Sequence, residues 1–229
     1  MFSVIFEAHP RAEQWDAYLG HAKILRPELE RIDGFVDNVR YRSLTRQGWI
    51  LSLSSWRDEK AVVRWRTRMR HHEAQATGRS EILHDYHLRV GQITEDTRVP
   101  AGHALTEQRL DETEVGLGTT VSVIDASRPR DEVERLSPDG LARWLVGSGP
   151  EAEGLVAFDV FEAILTPGDF VLLLSWRDRE AAEAFESTVV RPGMGRLRRV
   201  RVVRDYGMFD RREAPQYYPD AAGAATVHA

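Results

Sequence analysis

The 229-residue sequence has no cysteine, which removes disulfides, thiolate metal sites and a cysteine nucleophile together. It has no apolar run approaching the about 20 residues that a membrane helix needs. The opening stretch MFSVIFEAHPR is apolar for too few residues and lacks the basic start of a signal peptide. A cytoplasmic protein with no membrane role is therefore expected. A basic surplus is missing too: the net charge of −5 argues against a general nucleic-acid binder. A Gly-rich phosphate loop, a Ser-His-Asp order and an HExxH motif are all absent, and no metal site is expected. The single basic cluster, Arg196, Arg198, Arg199, Arg201 and Arg204, alternates with Leu197, Val200, Val202 and Val203. It reads as a strand with one solvated face.

What is present is a repeat. At an offset of 120 residues, Gly34-Phe35 falls on Gly154-Leu155 and Gly48 on Gly168. Ser55-Trp56-Arg57-Asp58 repeats as Ser175-Trp176-Arg177-Asp178, and Asp85-Tyr86 as Asp205-Tyr206. One constant offset across landmarks this far apart marks an internal duplication.

In the first copy, Phe2 to Ala8 is short and rich in Val, Ile and Phe, as strands are. From Ala12 to Ile32, apolar Trp15, Tyr18, Leu19, Ala22, Leu25 and Leu29 recur at helical spacing, with Pro27 as a blemish near the end. Phe35 to Leu44 and Trp49 to Trp56 read as a hairpin. Asp58 is placed to cap a helix reaching about Ala76, and Tyr86 to Thr94 reads as a fourth strand. This β-α-β-β-α-β order is the ferredoxin-like arrangement.

The second copy repeats it with strands at Thr119 to Ala126, Leu155 to Leu165, Asp169 to Trp176 and Arg196 to Met208. Its helices are expected over Asp131 to Val146, interrupted by Ser137-Pro138-Asp139-Gly140, and over Arg179 to Val190. The expected division is a module at 1–95, a linker at 96–118, a diverged module at 119–209 and a tail at 210–229. Strands apolar on both faces, such as Phe170-Val171-Leu172-Leu173-Leu174, need cover on both faces. The cheapest cover is the other copy. The fold class is therefore α+β, two ferredoxin-like modules packed sheet to sheet as a pseudo-dimeric α/β barrel, with further oligomerisation left open.

In the first copy's second helix, Val62, Trp65, Met69, His72 and Ala76 follow alternating spacings of three and four, which predicts one face aimed at the sheet. His72 is then an imidazole pointed into an apolar cavity, as a general base, a haem ligand or a hydrogen-bonded core histidine. His71 lies further round the helix with Arg64, Arg68 and Gln75. On the second strand Asn38 and Arg40 share one face and Tyr41 takes the other; all three are candidate hydrogen-bond donors to an anionic substrate. His84 and His87 read as surface residues, and Glu7 with His9 as a solvated strand edge. In the second copy Phe185 stands where the first has Trp65. Arg191 and Pro192 fall opposite His71 and His72, so the first copy is the better place for a working cavity.

Pro27-Glu28-Leu29-Glu30, Asp33-Gly34-Phe35, Leu51-Ser52-Leu53-Ser54-Ser55-Trp56, Trp65, His71-His72 and Asp85-Tyr86-His87-Leu88-Arg89-Val90 together resemble the antibiotic biosynthesis monooxygenase family of dimeric α/β barrels. The resemblance implies a small-molecule monooxygenase acting on an aromatic or polyketide-like substrate with O2, often without metal or flavin. It implies a cavity between sheet and helices, with His72, His71 and Trp65 as catalytic candidates and Asn38, Arg40, Tyr41 and Met69 as substrate-binding candidates. No cofactor is expected, with haem as the alternative, since one branch of the family degrades haem. That branch has its axial histidine ten residues after a pocket tryptophan, where this chain has Gln75, and a first-strand asparagine that Ser3–Ala8 lacks. A non-catalytic ligand-binding barrel is the remaining alternative.

Overall fold

Short runs of valine, isoleucine and leucine bounded by turns form eight antiparallel strands, and amphipathic runs between them form the helices. The computed structural model describes residues 1–147, 152–189 and 195–216. The first copy runs β1 (Phe2–Pro10), α1 (Trp15–Leu29), β2 (Phe35–Ser43), β3 (Ile50–Trp56), α2 (Glu59–Arg66), α3 (Met69–Thr77) and β4 (Leu83–Asp96). The second runs β5 (Thr120–Ser127), α4 (Arg130–Arg135), α5 (Pro138–Val146), β6 (Leu155–Ala163), β7 (Asp169–Trp176), α6 (Arg179–Val189) and β8 (Arg196–Gly207). Arg191 and Pro192 lie outside the described residues, as does the chain beyond Gln216.

The strands close into one barrel in the order β1-β3-β2-β6-β7-β5-β8-β4. Each copy contributes a four-stranded sheet, and two seams join them. The β4–β8 seam is long, running from His87 opposite Gly207 to Asp96 opposite Arg198. The β2–β6 seam is short: Tyr41 opposite Ala163, Arg42 opposite Glu162 and Ser43 opposite Phe161. The expected duplication and the mutual cover of the two sheets are thus met by a shared barrel interior. Ile5, Leu51 and Leu53 of the first copy meet Val121, Val123, Leu173 and Val200 of the second there.

Charged residues also enter the interior, and always in pairs, because an unpaired buried charge is costly. Glu7 accepts from Arg89 at 2.5 Å and from Arg46. Arg46 in turn donates to Asp159 of the second copy at 2.7 Å, and Arg89 to Ser175 at 2.6 Å. His87, 3% exposed, has its Nε2 2.7 Å from Asp205. Glu7 and His87 are therefore buried parts of an ionic network, not a solvated edge and a surface residue, because the pleat turns both into the barrel. The arginines of β8 are likewise not a solvated face. Arg196 pairs with Asp96, Arg198 with Asp125, Arg199 with Glu183 and Glu186, and Arg201 with Glu107.

The duplicated landmarks do the same job twice. Gly34 and Gly154 turn the chain with φ of 91° and 79°, the left-handed region where a side chain is strained. A Cβ on either would lie 2.7 Å from Ala61 or 2.5 Å from Ala181. Asp58 and Asp178 cap α2 and α6, each accepting from a backbone N–H three residues on at 2.8 Å. Two expected helices are broken in two. Ser137 caps α5 by accepting from Gly140 at 3.0 Å, ending α4 before it. Arg68 is extended, at φ −63° and ψ 131°, and separates α2 from α3.

Candidate functional site

Side chains alternate across a strand, so Val4, Phe6, Asn38, Arg40, Ser52, Ser54, Trp56, Tyr86, Leu88 and Val90 all face away from the barrel interior and toward the first copy's helices. With α1, α2 and α3 they enclose a cavity of about 230 Å³. Its apolar wall includes Leu25, Leu29, Val62, Trp65, Ile82 and Leu83. Tyr206 of the second copy reaches in as well, with Arg211 and Gln216 from the segment that follows it.

Of the expected site residues, Trp65, His71, Asn38 and Arg40 line this cavity. His72, Tyr41 and Met69 do not. Met69 is 74% exposed and His72 is exposed too. The break at Thr67-Arg68 resets the helical phase, so the inward stripe that starts at Val62 and Trp65 continues through His71, Ala74 and Gln75. Tyr41, 7% exposed, packs inside the barrel with Leu51 and Phe161.

His71 stacks on the Trp65 indole, ring centroids 4.2 Å apart. Its Nδ1–H donates to the Trp65 carbonyl oxygen at 3.0 Å. A carbonyl can only accept, so Nδ1 carries the hydrogen and Nε2 keeps its lone pair. Burial lowers the imidazole to about 4, against the carbonyl bond, which raises it, and with His72 lowering it further. His71 is a neutral acceptor at physiological pH.

The electrostatics of the lining are one-sided. Arg26, Arg40, Arg66, Arg79 and Arg211 border the cavity, and among the described residues no aspartate or glutamate does. Arg26 is neutralised by Glu30 at 2.7 Å. Arg40 and Arg66 form no ion pair among the described residues, and each has a buried Nε with no hydrogen-bond partner. Arg40 is hydrogen-bonded to Tyr18, whose phenol is pushed up by burial. Asn38 Nδ2 donates to Ser52 Oγ at 2.9 Å and to the Leu53 carbonyl at 3.2 Å, which fixes its amide on the cavity floor. A half-buried guanidinium with an unmet Nε–H and no anion is incompletely compensated, so the lining suits a small anion with an apolar body.

Among the described residues, the second copy fills the equivalent positions with apolar side chains. At the 120-residue offset Asn38, Arg40, Ser52 and Ser54 become Phe158, Val160, Leu172 and Leu174. These pack with Leu141, Leu145, Trp176 and Phe185 in a filled core. Arg66 becomes Glu186, which takes Arg199 as its own partner at 2.5 Å. Sequence reasoning missed Arg66, Arg79, Tyr86, Tyr206 and Arg211. The polar-to-apolar exchanges between the copies would have flagged the strand residues, and the reversal of charge would have flagged Arg66. Nothing comparable points to Arg211, which lies beyond the repeat.

Groups that could hold a cofactor are few. Among the described residues no cluster of three His, Asp or Glu is placed for a metal. His71 Nε2 could ligate a haem iron, but about 230 Å³ lies below the roughly 300–1,000 Å³ typical of pockets for drug-sized ligands. A tetrapyrrole is larger still, so the residues present do not fit one. No described helix is long and apolar enough to cross a membrane.

A family model described as antibiotic biosynthesis monooxygenase matches residues 1–77. A jasmonate monooxygenase ABM from Pyricularia oryzae (strain 70-15 / ATCC MYA-4617 / FGSC 8958) is 48% identical over 227 residues, spanning 97% of this chain and 100% of the relative. An aldoxime dehydratase of known structure is similar over 88% of this chain and 80% of its own, at TM-score 0.50 and 11% identity, a likeness of fold alone. The structure of an antibiotic biosynthesis monooxygenase matches 42% of this chain and 100% of its own, at TM-score 0.38 and 13% identity.

Proposed function

The chain belongs to the antibiotic biosynthesis monooxygenase family, and from that premise we propose that it oxidises a small carboxylate with an apolar body, using O2, in the first copy's cavity. The observation that carries this is the lining: among the described residues it has arginines without carboxylates beside an apolar wall. Jasmonate, the carboxylate for which the Pyricularia relative is named, has this chemistry and is the first substrate to test. Arg40 and Arg66 hold the anion, while Trp65, Val62 and Leu25 wall the apolar part.

His71 is the base. Its Nε2 accepts a proton from a carbon next to a carbonyl, and the resulting carbanion reacts with O2. The CH2 becomes C=O and one H2O is released, so electrons balance between substrate and oxygen. An anion bound beside the imidazole makes it more basic than in the empty cavity.

The test is oxygen uptake with 18O2 and mass analysis of the product, using jasmonate and a panel of hydroxynaphthalene and anthrone substrates. One labelled atom per product is expected. His71→Ala should lower turnover by about 10²–10⁴-fold, the usual share of an acid–base group, and His72→Ala should leave it near wild type. No label from any of these substrates would end the proposal. The aromatic, polyketide-like reading takes its place if the phenols are labelled and jasmonate is not. A Soret band in the protein as isolated, lost in His71→Ala, would replace both with a haem protein.

A further inference from the structure

One hydroxyl on the cavity wall has its acceptor positions filled by cations. Arg79 Nη1 donates to Tyr86 Oη at 2.8 Å, and Arg211 Nη1 donates to the same oxygen. A phenol oxygen has two acceptor positions and one hydrogen to give. With both positions occupied, the Tyr86 O–H must point away from the two guanidiniums. Among the described residues no acceptor takes that hydrogen. Tyr86 is buried against protein but lines the cavity, so the cavity is where its hydrogen bond is unmet. Two cations on its oxygen also draw electron density from the O–H and strengthen it as a donor.

The three residues come from three parts of the chain. Tyr86 is on β4, Arg79 on the π-helical turn Gly78–Ile82, and Arg211 in the segment following β8. That segment is fixed in place. Met208 N–H donates to the Tyr86 carbonyl at 3.0 Å, and the Met208 carbonyl accepts from Arg79 at 3.1 Å. Gln216 accepts from Arg211 through its carbonyl at 2.9 Å and donates to the Arg66 carbonyl at 3.4 Å. Arg66, whose place in the second copy is taken by a glutamate, adds positive charge at this end. The ring of Tyr206 lies beneath Arg211, 5.6 Å from its guanidinium carbon.

We propose that the Tyr86 hydroxyl is the donor that recognises the substrate's carboxylate, and that residues 208–216, the segment following β8, complete that end of the first copy's site. The inference rests on the reading of the cavity as an anion site, and deepens it by naming the residue that discriminates acid from neutral analogue. A hydrogen bond to a charged partner is worth about 1.5–3 kcal/mol, or roughly 10–100-fold in affinity.

Calorimetric titration with jasmonic acid and with its methyl ester tests this. The wild type should prefer the acid. Tyr86→Phe keeps the ring and removes the donor, so affinity for the acid should fall about 10–100-fold while that for the ester stays the same. In turnover, KM for the acid should rise by the same factor with kcat unchanged, which a merely structural role would not produce. Arg211→Gln, which removes one of the two donors to Tyr86, should weaken acid binding in the same selective way, and it decides the matter if Tyr86→Phe does not fold. A folded Tyr86→Phe that keeps full preference for the acid overturns this inference and leaves the anion reading standing. A wild type that binds acid and ester alike overturns both.

Discussion

His71 carries a proton only well below neutrality, and that has a measurable sign. In the unfolded chain its imidazole titrates near the ordinary value of about 6.5, whereas in the fold burial holds it at about 4. Between those values the unfolded chain binds a proton that the folded chain refuses, so stability is full above about pH 6.5 and declines toward pH 4. With a discount for its partial exposure, the loss from this residue between pH 7 and pH 5 is about 1–2 kcal/mol. Urea unfolding at both pH values should show that extra loss in the wild type and not in His71→Phe. His87, also lowered by burial, acts in the same direction in both proteins and cancels in the comparison. Asn38 and Arg40 could be placed from sequence because a strand's period of two survives any change in its length. His71 could not. A helical period holds only while the helix is unbroken, and nothing in Thr67-Arg68 announces the interruption as proline or glycine would.

An element fails first at its ends, and here the end of α2 bears on the cavity, because Val62 and Trp65 stand on it. Asp58→Ala removes the acceptor for the Ala61 N–H and should cost about 1 kcal/mol, read as a lower urea midpoint with an unchanged slope. Gly34→Ala should cost more, beyond about 1 kcal/mol, because it combines a φ of 91° with a Cβ 2.7 Å from Ala61. Gly154→Ala should match it in the second copy, and calorimetry of the pair would show whether both turns are equally strained. Strand positions and the Asp58 cap were readable because their signals are local. The split of α4 from α5 was half readable, since Ser137-Pro138-Asp139-Gly140 marks an interruption but not that Ser137 would start a new helix. The arginines of β8 were misread because their partners, Asp96, Asp125, Glu183, Glu186 and Glu107, are distant in sequence.

At the scale of the molecule, the two copies are held together by an apolar interior with ion pairs set into it. Glu7 is the node, joining Arg89 to Arg46, which continues to Asp159 in the other copy. Those cations lower its carboxyl to about 2 against the opposing effect of burial. Glu7→Gln leaves two arginines beside a neutral amide and should destabilise the fold by about 3–5 kcal/mol, measured as a fall in melting temperature. The duplication, and with it the barrel, was legible in the constant 120-residue offset. That the described positions of the second copy equivalent to the cavity lining are filled was legible in part, through Phe185 in place of Trp65. The rest lay in pairs such as Arg40 and Val160, whose difference acquires meaning only once both are seen on the same outer face.

The two seams of the barrel are unequal, and a ring yields at its thinnest weld. With Tyr41 to Ser43 meeting Phe161 to Ala163, flanked by the Leu44 N–H on the Val160 carbonyl and the Ile164 N–H on the Arg40 carbonyl, the amides there are the ones a passing fluctuation can expose to solvent. Deuterium should enter that patch well before it reaches the long β4–β8 border. The wall opposite would act as a hinge, letting the two sheets gape and reclose without ever letting go of each other.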